Sequence, residues 1–481
     1  MQQKSIKKNS IYNIIKTLST IIIPLIIFPY VSRVLLPDNI GKVNWSKTFV
    51  NYFELIATLG ISTYAIRSCS RKKDNKDDLG QIASEIFSIN ILSTILAYIS
   101  LIVCLLVFRK TDEYRTLIVI YSTTILLTTL GMDYLNSAME DFRFITIRTL
   151  FFQLLSLLLT LVFVRSKDDY ITYMIISVVS SSGANAANIL YRRRYCKVRF
   201  TLNIPWKTHL IPIITLFSMI LSQVIFNNTD ITMLGIMKND YEVGIYSTAL
   251  KIVNIVAALV QSLMAVILPR LSLYFSRNDY GEINKLLKKL LVFNIGIGLP
   301  CVVGIEMLAP DIIYFVGGAE YISAASVMRI LILSFMFSLV GGSFLGNAVL
   351  IPSGRENYYM KVCWITAACN VGLNYLLIPR FGANGAAMAT AFNGLIILVL
   401  LLLNVDKQIK IDHIFDAFKG PLIGCVGIAI SCLAFKGVEQ FWLRLVASIV
   451  TSVLVYAVTM ILTKNGLATE ALAFVQNKFH K

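Results

Sequence analysis

Polar side chains recur at helical spacing inside the most apolar stretches of this sequence. One set, within residues 45–66, follows an i, i+4, i+7, i+11 pattern: Lys47, Asn51, Glu54 and Thr58. This spacing places the four side chains on one side of an α-helix. A charged group near the centre of a membrane span costs about 2.5 to 3.5 kcal/mol on insertion scales, so it tends to face a partner or a water-filled cavity. We therefore expect this stripe to hold a polar solute rather than to make or break bonds.

Three other apolar segments carry stripes of the same kind. They are Gln223, Asn227 and Asp230; Ser247, Lys251, Asn254 and Gln261; and Asp133, Asn136 and Glu140, the last set at the end of its span. Two interpretations are open. The stripes form hydrogen bonds and ion pairs that hold a helix bundle together, each contributing roughly 0.6 to 2 kcal/mol, or they line a hydrophilic central cavity. Single Asn and Gln residues favour the first, and the depth of Glu54, Asp230 and Lys251 favours the second.

Three arginines lie at the ends of predicted spans. For Arg33, Arg67 and Arg270, snorkelling or a role in topology explains the position as well as ligand contact does. Glu54 and Arg67 are about 20 Å apart along a continuous helix that rises 1.5 Å per residue. We therefore expect no direct ion pair between them.

The helices that position these groups must span a membrane. The chain has 481 residues, of which 56% are hydrophobic and only 15% are charged, and its mean hydropathy is +0.71. A soluble domain could not bury that much apolar side chain. Apolar stretches of about 20 residues, enough to cross roughly 30 Å of hydrocarbon, follow one another along the chain. We predict an all-α polytopic membrane protein with about 14 transmembrane helices, at residues 11–36, 45–66, 82–108, 115–139, 144–164, 170–190, 210–237, 243–268, 286–308, 325–351, 358–378, 383–403, 418–436 and 441–463.

The net charge of +17 is distributed as in a membrane protein. With a cytoplasmic N-terminus and alternating spans, most of the 44 lysine and arginine residues fall in cytoplasmic segments, as the positive-inside rule requires. The segment YRRRYCKVRF, residues 191–200, is then interpreted as a topology anchor that also touches anionic lipid headgroups. We predict a multi-pass membrane protein with both termini cytoplasmic and no nucleic-acid partner.

The longest basic connector, residues 191–209, predicts a domain boundary after the sixth span. We predict an N-terminal lobe of six helices at 1–200, a second six-helix lobe at 201–405, and two additional helices at 406–481. Displacing the sequence by 203 residues matches Gly41 with Gly244, Val50 with Val253, Asn51 with Asn254 and Arg67 with Arg270, and a displacement of 210 matches Gly131 with Gly341. Because six spans return the chain to its starting side, the lobes are predicted to be parallel repeats.

Sequence patterns of enzymes and metal sites are missing. The chain contains no HExxH, GxxxxGK[ST] or GxSxG motif, and its three histidines are scattered at His209, His413 and His480. The eight cysteines never form a CxxC pair, so we interpret them as packing residues. We expect no cofactor, no metal and no enzymatic activity.

Three segments resemble the polysaccharide repeat-unit flippases, the Wzx type of the multidrug/oligosaccharidyl-lipid/polysaccharide (MOP) flippase superfamily. They are SRVLLPDNIGKVNWSKTFVNYFELIATLGISTYAIR (32–67), DYLNSAMEDFRFITIR (133–148) and TDITMLGIMKNDYEVGIYSTALKI (229–252). The matching positions are Arg33, Leu35, Pro37, Gly41, Tyr52, Phe53, Leu59 to Ile61, Tyr64, Arg67, Asp230 and Gly244. The chain departs from the family at Leu36, where Gly is common, and at Glu54, where an apolar residue is usual.

The resemblance implies a V-shaped pair of six-helix lobes around a cationic cavity, in a bacterial cytoplasmic membrane. Such a protein carries an undecaprenyl-pyrophosphate-linked oligosaccharide to the outer leaflet for O-antigen or capsule synthesis. It also implies contact with membrane lipids, a coupling H⁺ or Na⁺ ion and a polysaccharide polymerase as partner. The candidate substrate-binding residues are Arg33, Lys47, Asn51, Glu54, Arg67, Asp133, Asp230, Lys251, Asn254 and Arg270.

Three alternatives are open at this point. A multidrug or cation antiporter of the same superfamily predicts an acidic cavity rather than a mixed one. A lipid II flippase predicts the same lobes and a cationic cavity. An integral membrane glycosyltransferase, which can use isolated acidic residues, predicts glycan elongation by the purified protein.

Overall fold

The computed structural model describes residues 6–261, 264–406, 409, 414–463 and 465–466, and these residues contain helices and no strand. Helices satisfy every backbone polar group within one segment, which lipid requires. The α-helices are α1 Ile6–Thr58, α2 Ile61–Ser70, α3 Lys76–Val107, α4 Arg115–Gly131, α5 Asp133–Ala138, α6 Phe142–Phe163, α7 Tyr170–Tyr191, α8 Trp206–Met237, α9 Asp240–Gln261, α10 Met264–Ser276, α11 Tyr280–Gly317, α12 Ala324–Ser338, α13 Glu356–Leu402, α14 Ile414–Ala434 and α15 Phe441–Leu462. A π-helix, Leu339–Leu350, continues α12.

The helices confirm the predicted number of membrane spans within the described residues. Eight of them are long and apolar enough to cross a membrane, counting α1 together with α2 and α12 together with the π-helix. Two of these eight, α1 and α13, are each bent into two spans, at Leu36 and at Gly382. The shorter helices α4, α7, α9 with α10, and α14 complete the set of fourteen.

The connector predicted between residues 36 and 45 is wrong. The chain turns at Leu36, whose φ of 65° and ψ of 168° are not helical, and residues 37 onward are already helical. Proline is favoured in the first turn of a helix because its missing N–H would have no partner there, so Pro37 starts the second helix at once.

The second predicted span, 45–66, is also not one continuous helix. Leu59 and Gly60 have positive φ values of 46° and 66°, which ends α1 and starts α2. Arg67 therefore lies on a separate helix from Glu54, and the axial separation expected for a continuous helix does not apply.

The fourth predicted span breaks at Met132, which has a φ of 50°. The break separates α4 from α5, which carries Asp133 and Asn136 and ends at Ala138. Glu140 follows that end with a φ of 55°, so the three residues do not share one helix face as predicted. The Asn136 amide still donates to Oδ1 of Asp133 at 3.3 Å. Glu140 instead accepts from the Lys73 ammonium at 3.1 Å.

The chain divides into two compact units, Met1–Gly244 and Ile245–Lys481. The first unit includes α8 because this helix packs on α1 and α2. His209, at the start of α8, is 2% exposed and bonds the Tyr64 hydroxyl at 2.8 Å and a Glu85 oxygen at 3.0 Å. The lobe boundaries predicted at residues 200 and 405 stay predictions.

In the second unit, the hairpin of α14 and α15 packs on α11. The Arg444 guanidinium donates to Oδ1 of Asp311 at 2.6 Å from Nη2 and 3.1 Å from Nε. The Tyr456 hydroxyl donates to the Gly296 carbonyl at 2.6 Å. These bonds join the predicted pair of additional helices to the rest of the unit.

Glycines that match between the predicted repeats occupy close helix contacts. A Cβ added to Gly131 would lie 2.8 Å from Cβ of Asn185 on α7, and one added to Gly341 would lie 3.1 Å from Cα of Leu398 on α13. Each glycine therefore permits a tight helix pair within its own unit. The helix also becomes irregular beside both positions, at Met132 in one unit and through the π-helix in the other.

Candidate functional site

Glu54 faces the helix pair α4 and α7 inside the first unit. Thr128 on α4 donates to Oε1 of Glu54 at 3.4 Å, and the Asn185 amide on α7 donates to Thr128 at 3.4 Å. Both contacts are long, so the carboxylate is only loosely held by the protein.

Lys47, two helical turns earlier on α1, faces the same two helices. Its ammonium donates to the Ser177 hydroxyl at 2.9 Å. It also lies 5.1 Å from the ring centroid of Tyr173 and 5.8 Å from that of Tyr121, within the range of cation–π attraction. The predicted stripe on α1 thus places its cation and its anion against the same pair of helices.

A second group of polar side chains lies on α5, α6 and α7. Asn188 donates to the Gly131 carbonyl at 2.6 Å, and Asn136 donates to Asn188 at 2.7 Å. Asp133 forms an ion pair with Arg148, whose side chain is only 4% exposed. We call the whole series the polar ladder: Glu54, Thr128, Asn185, Asn188, Asn136, Asp133 and Arg148.

Asp230 lies elsewhere in the first unit, on α8, where it is 4% exposed. The Tyr52 hydroxyl is 3.1 Å from the Thr232 hydroxyl, and the Trp45 indole donates to the Thr232 carbonyl at 3.3 Å. Asp230 therefore lies on α8 two residues from the contact between α1 and α8.

The remaining candidate residues do not join the ladder. Arg33 and Arg67 are exposed, and Asn51 is half-buried on α1. In the second unit, Lys251 is half-buried, and Asn254 and Arg270 are exposed. Their predicted convergence with the first unit on one cavity stays a prediction, as does the binding role of all ten candidates.

Sequence reasoning missed part of the ladder. On α7 the spacing of Ser177, Ser181, Asn185 and Asn188 is i, i+4, i+8, i+11, so the rule that found the α1 stripe would also have found this one. The positive-inside pattern of the sequence places Arg148 among the cytoplasmic basic residues that set topology. Its burial depends on the packing of α6, which no local pattern reports.

The arrangement suits recognition more than catalysis. Among the described residues, no group of three or more His, Cys, Asp or Glu side chains is placed to hold a metal, and the eight cysteines are free. The ladder instead offers carboxylates, amides and hydroxyls, and Lys47 adds a cation between aromatic rings. Such groups hydrogen-bond a hydroxyl-rich solute and stack on it.

The fold and these polar groups define a multi-pass membrane protein that handles a polar solute. A family described as polysaccharide biosynthesis protein matches residues 6–275, and the MatE family matches residues 215–376. The first match covers more than half of the sequence, so the chain belongs to the polysaccharide biosynthesis protein family.

Individual proteins agree with this placement. The capsular polysaccharide biosynthesis protein CapF of Staphylococcus aureus is 23% identical over 402 residues, covering 82% of this chain and 97% of that protein. The solved structure of the lipid II flippase MurJ in an inward closed conformation gives a TM-score of 0.76 at 17% identity, covering 94% of this chain and 99% of that chain. An inward-facing multidrug resistance MATE family transporter of the MOP superfamily gives 0.62 at 12% identity, over 79% of this chain and 93% of that chain.

At these identities the solved structures show the fold. They confirm the prediction of an all-α polytopic membrane protein, and the family match places the chain among the polysaccharide biosynthesis proteins.

Proposed function

We propose that the protein moves undecaprenyl-pyrophosphate-linked oligosaccharide repeat units from the cytoplasmic to the outer leaflet by alternating access, for surface polysaccharide synthesis. Each unpaired hydroxyl moved into hydrocarbon costs about 2 to 7 kcal/mol. An oligosaccharide headgroup therefore needs a polar path through the membrane.

The observation that carries this proposal is the polar ladder. It extends from Glu54 to Arg148 over five helices of one unit, and its carboxylates, amides and hydroxyls can replace water around sugar hydroxyls. Lys47 lies between two tyrosine rings, an arrangement that suits the stacking of a sugar face as well as hydrogen bonding.

The candidate residues then have separate roles. Arg33, Arg67, Lys251 and Arg270 would contact pyrophosphate or sugar, because arginine suits bidentate phosphate binding. Glu54, Asp230, Asn51 and Asn254 would hydrogen-bond sugars or couple a proton or sodium ion. Lys47 and Asp133 would complete the sugar contacts. The lipid tail would stay in the membrane, along α14 and α15.

The setting of the protein is part of the same proposal. It would lie in a bacterial cytoplasmic membrane with both termini on the cytoplasmic side. A polysaccharide polymerase would receive the translocated repeat units. The CapF match supports this placement, because it covers nearly the whole of that capsular polysaccharide biosynthesis protein.

The test is translocation by purified protein in liposomes. Three labelled solutes would be offered separately: an undecaprenyl-pyrophosphate-linked oligosaccharide, lipid II and a cationic drug. We expect protein-dependent transfer between leaflets to be fastest for the oligosaccharide donor. No transfer of that donor, together with transfer of lipid II or with drug efflux, would reject the proposal in favour of the corresponding alternative.

Two variants of the second unit extend the test. Lys251→Ala and Arg270→Ala should lower the rate of donor transfer without unfolding the protein, because each removes a proposed contact to the headgroup. Lys436→Ala is the matched control, since Lys436 is exposed on the turn between α14 and α15. Transfer at the control rate would remove the substituted residue from the site.

A further inference from the structure

The Asp133 carboxylate is held by the protein through one oxygen. Both Arg148, through Nη2, and Asn136, through Nδ2 at 3.3 Å, donate to Oδ1. No donor among the described residues bonds Oδ2. The Asp133 side chain is 38% exposed, whereas that of Arg148 is 4% exposed. The carboxylate therefore keeps one accepting oxygen for a ligand.

Arg148 is the buried counter-ion of this carboxylate. Its Nε and Nη1 atoms are buried and have no hydrogen-bond acceptor among the described residues. Its guanidinium lies 5.3 Å from the ring centroid of Phe144. Since Asp133 is its one ion-pair partner in the described chain, a single positive charge compensates a single negative charge.

This pairing determines what the free oxygen attracts. A lone carboxylate inside a membrane span draws cations strongly, because little solvent screens its charge. A carboxylate and the fixed guanidinium beside it have no net charge together, yet the second carboxylate oxygen is still a strong hydrogen-bond acceptor. This oxygen accepts a hydrogen bond from a hydroxyl group, whereas the neutral pair attracts a cation only weakly.

We propose that Arg148 is a positioning and specificity-determining residue, which turns Asp133 into an acceptor for a sugar hydroxyl and makes the site reject cations. The inference rests on the proposed function for the identity of the glycan. It adds Arg148 to the site and assigns it an action through Asp133 rather than a contact with substrate.

The matched variants are Arg148→Lys and Arg148→Gln. Both lose the planar guanidinium, but only the glutamine variant loses the charge. We expect the lysine variant to bind ethidium as weakly as the wild type. The glutamine variant should bind ethidium at least 10-fold more tightly and should need about 10-fold more oligosaccharide donor for half-maximal translocation.

The double variant Asp133→Asn with Arg148→Gln separates this role from a general loosening of the structure. It removes both charges, so the gain in ethidium binding should disappear. A gain that persists in the double variant would overturn the proposal, and so would a folded Arg148→Gln protein that binds ethidium like the wild type.

A measurement on the wild type covers the case in which Arg148→Gln does not fold. Ethidium should not slow donor translocation by the wild type, and competition would overturn the proposed cation rejection. The two proposals also fail separately. Gain of ethidium binding by Arg148→Gln in a protein that translocates no oligosaccharide would contradict the proposed function and support the counter-ion role.

Discussion

Gly41 and Gly244 lie at one helix crossing, each against the backbone of the other's helix. A Cβ added to Gly41 would lie 1.8 Å from the carbonyl oxygen of Asp240, and one added to Gly244 would lie 2.0 Å from that of Pro37. The displacement of 203 residues that matches the two glycines also matches Pro37 with Asp240. The contact is therefore reciprocal between residues 37–41 of α1 and residues 240–244 at the start of α9.

Gly244→Ala should destabilise the protein. The added methyl group must displace backbone, and overpacking of this kind typically costs about 1 to 3 kcal/mol. The measurement is thermal unfolding of the purified protein in detergent. Gly304→Ala, on α11, is the control because no heavy atom lies within 4 Å of its added Cβ, and it should leave the melting temperature unchanged or slightly raised. Equal effects of the two variants would contradict the close crossing.

Leu36→Gly should stabilise the bend in α1. A φ of 65° with a ψ of 168° is a region that glycine adopts freely, and a side chain there costs about 1 to 3 kcal/mol. Part of this gain is offset by the greater entropy of glycine in the unfolded chain, so we expect an increase of about 1 kcal/mol in the free energy of unfolding. Val34→Gly, two residues earlier in helical backbone, should have the opposite effect. A lower melting temperature for Leu36→Gly would show that the leucine is not strained.

Arg444→Met should loosen the terminal hairpin. The side chains of Arg444 and Asp311 are 27% and 18% exposed. A hydrogen bond to a charged group of this kind contributes about 1.5 to 3 kcal/mol to stability. Hydrogen exchange of residues 441–462 should become faster. Lys436→Met, on the same hairpin but exposed, should leave exchange unchanged, and similar exchange in the two variants would argue against the ion pair.

The contact between Tyr114 and Asp240 predicts a dependence on pH. The Tyr114 hydroxyl donates to Oδ1 of Asp240 at 2.6 Å. Burial raises the pKa of Asp240, which precedes the apolar stretch of α9, although Tyr114, Lys42 and Lys110 act in the opposite direction. Since the folded value is the higher one, the stabilisation is complete below the ordinary value of 3.8 and is lost as pH rises through the folded value.

Asp240→Asn tests this dependence directly because the amide does not ionise. The melting temperature of the wild type should fall as pH rises from 3.8, and that of the variant should fall less. Parallel curves would show that Asp240 does not titrate differently in the folded protein.

The sequence predicted the spans well because hydropathy over about 20 residues reflects the cost of placing each segment in lipid. It failed at Leu36, Leu59 and Met132, where one residue with a positive φ redirects the chain. A left-handed residue is stabilised by the helices packed around it. The residues around each of these breaks are as apolar as those of an unbroken helix, so hydropathy does not reveal the break.

The candidate site was predicted in part for a similar reason. Helical spacing identified Lys47 and Glu54 as neighbours on one face, and α4 and α7 lie against that face. The same spacing could not give Asp133 its partner, because Arg148 comes from another helix. By its charge alone, Arg148 is assigned to the cytoplasmic residues that set topology. Its burial in the structure shows that it instead pairs with Asp133 inside the helix bundle.

The most direct measurement is oligosaccharide translocation by the Glu54→Gln protein in liposomes, beside Glu140→Gln. Each substitution removes one carboxylate. Glu54 belongs to the polar ladder, whereas Glu140 lies outside it, is 46% exposed and pairs with Lys73. If the ladder carries the glycan, the Glu54 variant should translocate at least about 10-fold more slowly, a loss of roughly 1.4 kcal/mol, while the Glu140 variant keeps the wild-type rate. Equal rates for the wild type and both folded variants would contradict a role for the ladder in transport.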